Sequence, residues 1–418
     1  MLSHKSNESS LPHLSQLDGL RGLAIFLVIV GHVELINGPF ITPNYFDSAS
    51  SFENAFWFCC KFGWIGVDLF FVLSGFLITC IVIRQVNSSQ NYLIFFFRRF
   101  LRIYPLFAVS LGAYFFALHF IDIEKMVGSK YSCYVENQWL MWFQLTNFMR
   151  ENGIYPQGEL AHFWSLAIEE QFYFLMPFLF LCLRKIFKEK FSSIFVLGII
   201  LLIALIYTLK IFHIKAAVDY AENIYVSSIF RGEPILWGSI LAFAYTYSKE
   251  KFQSYSPFIG TLLLLLGATL FVFSIFCAHK QISIRSFDMN FTGYRTHIQS
   301  FGFHGVSIFF SGLLMLALSM PKNKRFIKLL NSKLLRLLGK YSYSIYIFNT
   351  LIIAALTAGG FSWFFLRSAF SSYFLPCYFL LIIFLCLMIA AATWHTIEKF
   401  FFFIKGRKYL AYVDNQDN

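Results

Sequence analysis

Long apolar runs recur from one end of this chain to the other, and they leave it few folds to adopt. About 20 consecutive apolar residues make a helix long enough to cross a bilayer. Ten such stretches can be read, at approximately 18–36, 63–83, 93–118, 162–183, 192–211, 226–247, 257–277, 298–319, 342–358 and 373–398. Of the 418 residues 58% are hydrophobic and only 13% are charged, whereas soluble domains hold nearer a quarter. The expected fold is therefore all-α, a polytopic membrane helical bundle of about ten transmembrane helices.

The net charge of +12 does not require a nucleic-acid partner. Lys and Arg concentrate in the cytoplasmic loops of membrane proteins. With the N-terminus placed in the cytoplasm, the cytoplasmic connections carry better than twice the Lys and Arg of the opposite side, loop after loop. Lys210 is counted with the opposite side, and the cluster from Lys322 to Lys340 with the cytoplasm. An even number of spans with both termini cytoplasmic follows. The expected domains are a polar N-terminal tail (1–16), one transmembrane domain (17–404) and a C-terminal tail (405–418). The first apolar helix has no small-residue cleavage site after it and is read as a retained anchor, with no soluble catalytic domain at either end. The eight cysteines show no metal-type pairing and read as small buried hydrophobes, so no metal is expected; Cys59, Cys60 and Cys133 are the ones that would face an oxidising side.

The first span, LDGLRGLAIFLVIVGHV, carries Arg21 and His32. Ionisable groups inside a membrane helix are costly and mark functional sites by default. Eleven residues are about three helical turns, so both side chains share one face, about 16 Å apart along the axis. One reading is a snorkelling Arg and a His bonded to a neighbouring helix; the other is a single cavity seen from two depths. In the topology above Arg21 is near the cytoplasmic face and His32 lies beyond the midplane.

Other spans carry matching groups. GVDLFFVLSGFLIT holds Asp68, for which a capping role competes with a functional one, and Ser74 and Gly75, which permit close helix approach. RRFLRIYP sets Arg99 and Arg102 on one face, which suits either a positive-inside anchor or a clamp for phosphate groups. HFWSLAIEEQFYFLMP holds adjacent Glu169 and Glu170, with His162 seven residues before Glu169 and Tyr173 four after it. One of the two carboxylates should face a polar interior, either orienting His32 or pairing with an Arg. Arg231, Glu233 and Glu398 lie at span ends and read as interfacial. YSYSIYIFNT either lines a cavity or bonds across helices, and the aromatic segment Gln138 to Phe148 reads as a helix lying on the membrane surface.

Taken together and in order, these motifs resemble the acyltransferase-3 family of integral membrane acyltransferases. The resemblance rests on the Arg-x10-His of the first span, FFVLSGFLIT, RRFLRIYPL, FWSLAIEEQFYFLMP and the late SYSIYIF, and covers roughly residues 14–400. It implies a stand-alone, O-acetyltransferase-like enzyme of the bacterial inner membrane. Such an enzyme moves an acyl group, usually acetyl, from cytoplasmic acyl-CoA to a hydroxyl of an extracytoplasmic glycan such as lipopolysaccharide O-antigen or exopolysaccharide. Acetyl-CoA is then a co-substrate, and no permanently bound cofactor is implied. His32 corresponds to the essential histidine, Arg21 to its partner, Arg99 and Arg102 to the donor-contacting pair, and Glu169 or Glu170 to the acidic position. Ser74, Gly75 and Phe76 match the Ser-Gly-Phe element. Where many members carry a histidine in the late motif, this chain has Asn349, which cannot act as a base near neutral pH. The expected partners are acyl-CoA, a glycan acceptor and the bilayer, and no nucleic acid. The competing function is a transporter of an acylated or sugar-linked anion through the same charged cavity. A transporter is expected to show inverted repeats, and no internal repeat is evident.

Overall fold

The computed structural model describes residues 14–32, 55–56, 59–86, 88–120, 135–151, 160–216, 221–279, 298–358 and 374–401. The described residues are helical and contain no strand. The principal helices are α1 (Ser15–His32), α2 (Ile65–Gln85), α3 (Ser89–Phe120), α4 (Phe163–Phe187), α5 (Phe191–Ala216), α6 (Glu233–Tyr247), α7 (Lys249–His279), α8 (Phe303–Ser319), α9 (Lys333–Lys340), α10 (Ser342–Ala358) and α11 (Phe374–Thr393). Within the described residues, all ten apolar stretches read from the sequence fall on helices; 33–36 and 373 lie outside those residues. Six helical segments among the described residues are long and apolar enough to cross a membrane, and one of them, Phe163–Phe212, runs through both α4 and α5. Lys188, at φ 46°, ends α4 and lets α5 fold back along it, so that Phe180 meets both Phe191 and Phe195.

The helices pair where small residues let backbones meet. α2 packs along α6, α7 along α8, and α1 lies against both α2 and the short α9. At Gly75 an added Cβ would sit 1.9 Å from the carbonyl oxygen of Ile235, so only hydrogen fits between α2 and α6. The crossing of α1 and α9 is as close: a Cβ on Gly22 would meet the Leu335 carbonyl oxygen at 1.9 Å, and one on Gly339 the Asp18 carbonyl oxygen at 1.8 Å. This is the small-residue packing of membrane helices, in which backbone approach replaces the hydrophobic drive that water supplies elsewhere. The next residue along, Phe76, is buried and meets Tyr245 edge to face at 5.6 Å.

Three readings from the sequence are corrected by tertiary contacts. Arg231 and Glu233 are not interfacial, and Lys210 is not a loop charge: each is 1% exposed. Arg231 pairs with Asp68 through contacts of 2.9 and 3.0 Å, and Lys210 donates to Glu233 at 3.1 Å. His304 bonds the other oxygen of Glu233. Buried charges persist in an apolar interior when they are paired. Asp68, in the first turn of α2, is thus an ion-pair partner and not a helix cap. Second, Glu398 is at the span end as read but is not a free charge: it accepts a hydrogen bond from Ser344 of α10, where the π-helical turn Trp394–Glu398 carries it to the rim of a cavity. Third, the aromatic segment is not only a surface helix: Trp139, Phe143 and Phe148 stay exposed, but its other side bonds into the bundle. Its two short helices, Gln138–Trp142 and Thr146–Glu151, are tucked between α3 and α4. Tyr104, midway along α3, donates to the Trp142 carbonyl, and Asn147 accepts from Gln171, eight residues into α4, or about 12 Å from its start. Asn147 also donates to Ser228 at 2.9 Å. Asn147 and the Trp142 carbonyl thus find partners in the helix packing that an apolar surface would not supply. Of the cysteines expected to face an oxidising side, Cys60 is buried, Cys59 is exposed, and Cys133 lies outside the described residues. The proposed N- and C-terminal tails fall almost entirely outside them too.

Candidate active site

A cavity of about 740 Å³ opens at the end of the bundle where α1 begins. Arg21 reaches it from α1, Ser74 from α2, Arg99 and Arg102 from α3, and Glu169 and Tyr173 from α4. Six residues singled out in four separate stretches of sequence thus line one space. Helical periodicity explains the selection. Arg99 and Arg102 are three apart and Glu169 and Tyr173 four apart, so each pair projects from one helix face.

The polar groups inside the cavity hold one another in place. Glu169 accepts hydrogen bonds from Tyr173 at 2.7 Å and from Ser74 at 3.0 Å, and the Tyr173 and Ser74 hydroxyl oxygens lie 3.0 Å apart. The Arg99 guanidinium lies 4.3 Å from the centre of the Tyr173 ring. This cation–π contact holds a planar cation over an aromatic face while leaving its edge donors directed elsewhere. Of the two adjacent carboxylates, Glu169 lines the cavity and Glu170 does not.

The sequence reading missed the mouth of this cavity. Lys333, Arg336 and Lys340 of α9 line it together with Asp18 and Glu398. The signal was present: KLLRLLGK spaces its cations by three and four residues, which is one face of a helix. In the linear sequence those charges read only as part of a cytoplasmic loop. The close α1–α9 crossing at Gly22 and Gly339 is what brings them beside Arg21.

At its inner end the cavity reaches Tyr346 and Ser165, which bond each other. Beyond them sit two histidines. Tyr346 donates to the His162 carbonyl at 3.0 Å, and its ring centre is 5.1 Å from that of His162. The His162 and His32 rings meet edge to face at 5.7 Å. His32 bonds through Nδ1 to Oδ1 of Asn349, and His162 through Nδ1 to the Thr350 hydroxyl at 3.1 Å. The partner of the His32 imidazole is therefore an amide on α10, not a carboxylate on α4. Glu169 stands two helical turns, about 10 Å, from the His162 position. His162 itself was noted only for its spacing from Glu169, because nothing in the sequence pairs α1 with the start of α4.

This combination defines a class: a membrane-embedded helical bundle with a polar, cation-rich cavity at one end and a histidine pair behind its inner wall. The sequence profile of the acyltransferase domain matches residues 14–395, and the chain belongs to that family. Among proteins it is similar to, the peptidoglycan O-acetyltransferase OatA of Listeria monocytogenes is 28% identical over 363 residues, which is 84% of this chain and 51% of the relative. The O-acetyltransferase OatA of Staphylococcus aureus is 30% identical over 348 residues, which is 82% of this chain and again 51% of the relative. The chain spans about half the length of the curated relatives it matches. No solved structure matches it.

Proposed function

We propose that this chain transfers an acetyl group from cytoplasmic acetyl-CoA to a hydroxyl of a cell-surface glycan across the membrane in which it sits. The observation that carries the reading is the single cavity: six cations, Arg21, Arg99, Arg102, Lys333, Arg336 and Lys340, line one space whose inner end abuts the His162–His32 pair. The donor carries phosphates at one end and a thioester at the end of a long flexible arm. Arginines clamp phosphate oxygens in pairs and lysines act as point charges, so a mixed cluster at the mouth suits the nucleotide end. The arm then runs inward toward Tyr346 and the histidines.

In this reading the N-terminus and the basic mouth are cytoplasmic and the ten helices that match the apolar stretches all cross the inner membrane, within one transmembrane domain from 17 to 404. His32 faces the acceptor from the far side. Its Nε2 takes the proton of the acceptor hydroxyl as that oxygen bonds to the thioester carbonyl carbon. The carbon–sulfur bond breaks, and the departing CoA thiolate takes the proton back from the imidazolium. Glu169, held by Ser74 and Tyr173, serves as an anionic counterpart to Arg99 within the donor cavity. Glu170 is not assigned a role.

The acceptor is a glycan hydroxyl. The Listeria relative is a peptidoglycan O-acetyltransferase, which sets peptidoglycan beside lipopolysaccharide O-antigen and exopolysaccharide as acceptor classes. The test uses membrane vesicles of the source organism, lacking the native gene and supplied with the full chain and radiolabelled acetyl-CoA. Alkali-labile label fixed on a glycan is expected, and mass spectrometry of that glycan identifies the acceptor. His32→Ala, accumulating normally, is expected to fix none. Normal acetylation by that variant overturns the assignment, and label moved across the membrane without being fixed favours a transporter.

A further inference from the structure

The late motif holds an amide where its resemblance leads one to expect a histidine, and the geometry points to what that amide does. We infer that Asn349 is the positioning residue of the reaction: it holds His32 in the tautomer that carries its proton on Nδ1, leaving Nε2 as the base. The inference rests on the reading of His32 given above.

The argument turns on which way the amide faces. Nδ2 of Asn349 donates to the carbonyl oxygens of Ile345 at 3.0 Å and Tyr346 at 2.6 Å. Those two bonds use both amide hydrogens. Turning the group over would set Oδ1 against two carbonyl oxygens, so the helix's own backbone fixes the orientation. What faces the His32 Nδ1 is therefore Oδ1, an atom that only accepts. Nδ1 must be the donor, and the lone pair of the neutral ring lies on Nε2. Asn349 is itself fully buried, so water does not compete for the contact.

The neighbouring residue completes the arrangement. Thr350 bonds Nδ1 of His162, and Tyr346 bonds the His162 carbonyl. Residues 346, 349 and 350 share one face of α10. One helix thus orients both rings, one from α1 and one from α4. A carboxylate in this role would also add a charge to a buried site; an amide sets the tautomer without doing so.

The test compares Asn349→Leu, which removes the acceptor, with Asn349→Asp, which keeps an oxygen in its place. Each is assayed in the vesicles described above with radiolabelled acetyl-CoA, at equal protein level. General-base catalysis is worth on the order of 10²–10⁴-fold, so Asn349→Leu is expected to lower kcat about 100-fold or more while the KM for acetyl-CoA changes less than about twofold. Asn349→Asp is expected to restore kcat to within about tenfold of the parent. If Asn349→Leu does not accumulate, Asn349→Ala, which removes the amide without adding apolar bulk, reads the same loss. Parent-like kcat in the Leu or Ala variant overturns the inference, as does an Asp variant no better than Leu. The two readings fail separately: an active His32→Ala overturns the proposed function, whereas an inactive His32→Ala beside an active Asn349→Leu overturns only the role of Asn349.

Discussion

The pair formed by Asp68 and Arg231 offers a sharp test of how this bundle holds charge in its interior. The contacts are 2.9 and 3.0 Å, and the two side chains are 0% and 1% exposed. The Arg231 guanidinium also lies 4.5 Å from the ring centre of Phe303 and 5.1 Å from that of Tyr225. At a separation near 3 Å and an effective dielectric of about 20, the attraction is about 5–6 kcal/mol, most of it offset by the cost of removing both ions from water. The offset disappears when one partner goes. Asp68→Leu leaves Arg231 buried without its carboxylate and is expected to cost about 3–5 kcal/mol, whereas Asp68→Leu with Arg231→Met is expected to be neutral or stabilising. Thermal unfolding of the detergent-purified chain measures this. A change of 1 kcal/mol moves Tm by about 2–4 °C in domains of 150–250 residues and by less in longer chains, so a fall of about 5 °C is expected for the single variant and none for the double. A double variant that melts below the single refutes the reasoning, because it would mean that the pair itself, not the stranded charge, carries the stability.

Three other predictions test the site and the packing. Tyr173→Phe removes the 2.7 Å hydrogen bond to Glu169, and since bonds to charged groups contribute about 1.5–3 kcal/mol, kcat/KM for acetyl-CoA is expected to fall at least about tenfold in the vesicle assay. Arg336→Ala with Lys340→Ala is expected to raise the KM for acetyl-CoA several-fold at low salt with kcat little changed, a difference that should shrink as salt shortens the Debye length below about 10 Å. Gly75→Ala forces a Cβ to 1.9 Å from the Ile235 carbonyl and is expected to cost more than the usual 1–3 kcal/mol of overpacking, seen as loss of accumulated protein; Gly198→Ala, with nothing within 4 Å, should be neutral or stabilising by about 0.5–1 kcal/mol.

Much of this protein follows from its sequence because bilayers impose a simple rule. Apolar runs of bilayer length must be helices, and within the described residues each of the ten falls on one. Charged residues inside such runs are expensive, so Arg21, Arg99, Arg102 and Glu169 stand out in the sequence, and helical spacing puts Arg21 and His32 on one face. What the linear pattern cannot carry is which helix meets which. The adjacency of Glu169 and Glu170 was legible, but only packing beside Ser74 and Arg99 turned one of them toward the cavity. Arg231, Glu233 and Lys210 read as interfacial or loop charges, since each lies near a span end. Their burial exists only because Asp68 and His304 arrive from α2 and from α8 to pair with them. The cations of α9 looked like an orientation signal until glycines in α1 and α9 brought their backbones together. Asn349 looked like a departure from a motif; a tertiary contact across 317 residues made it the partner of His32. Local energetics, the cost of a charge or a bare backbone in lipid, is written residue by residue. Pairing energetics belongs to groups distant in the chain, and only the folded bundle sets which of them touch.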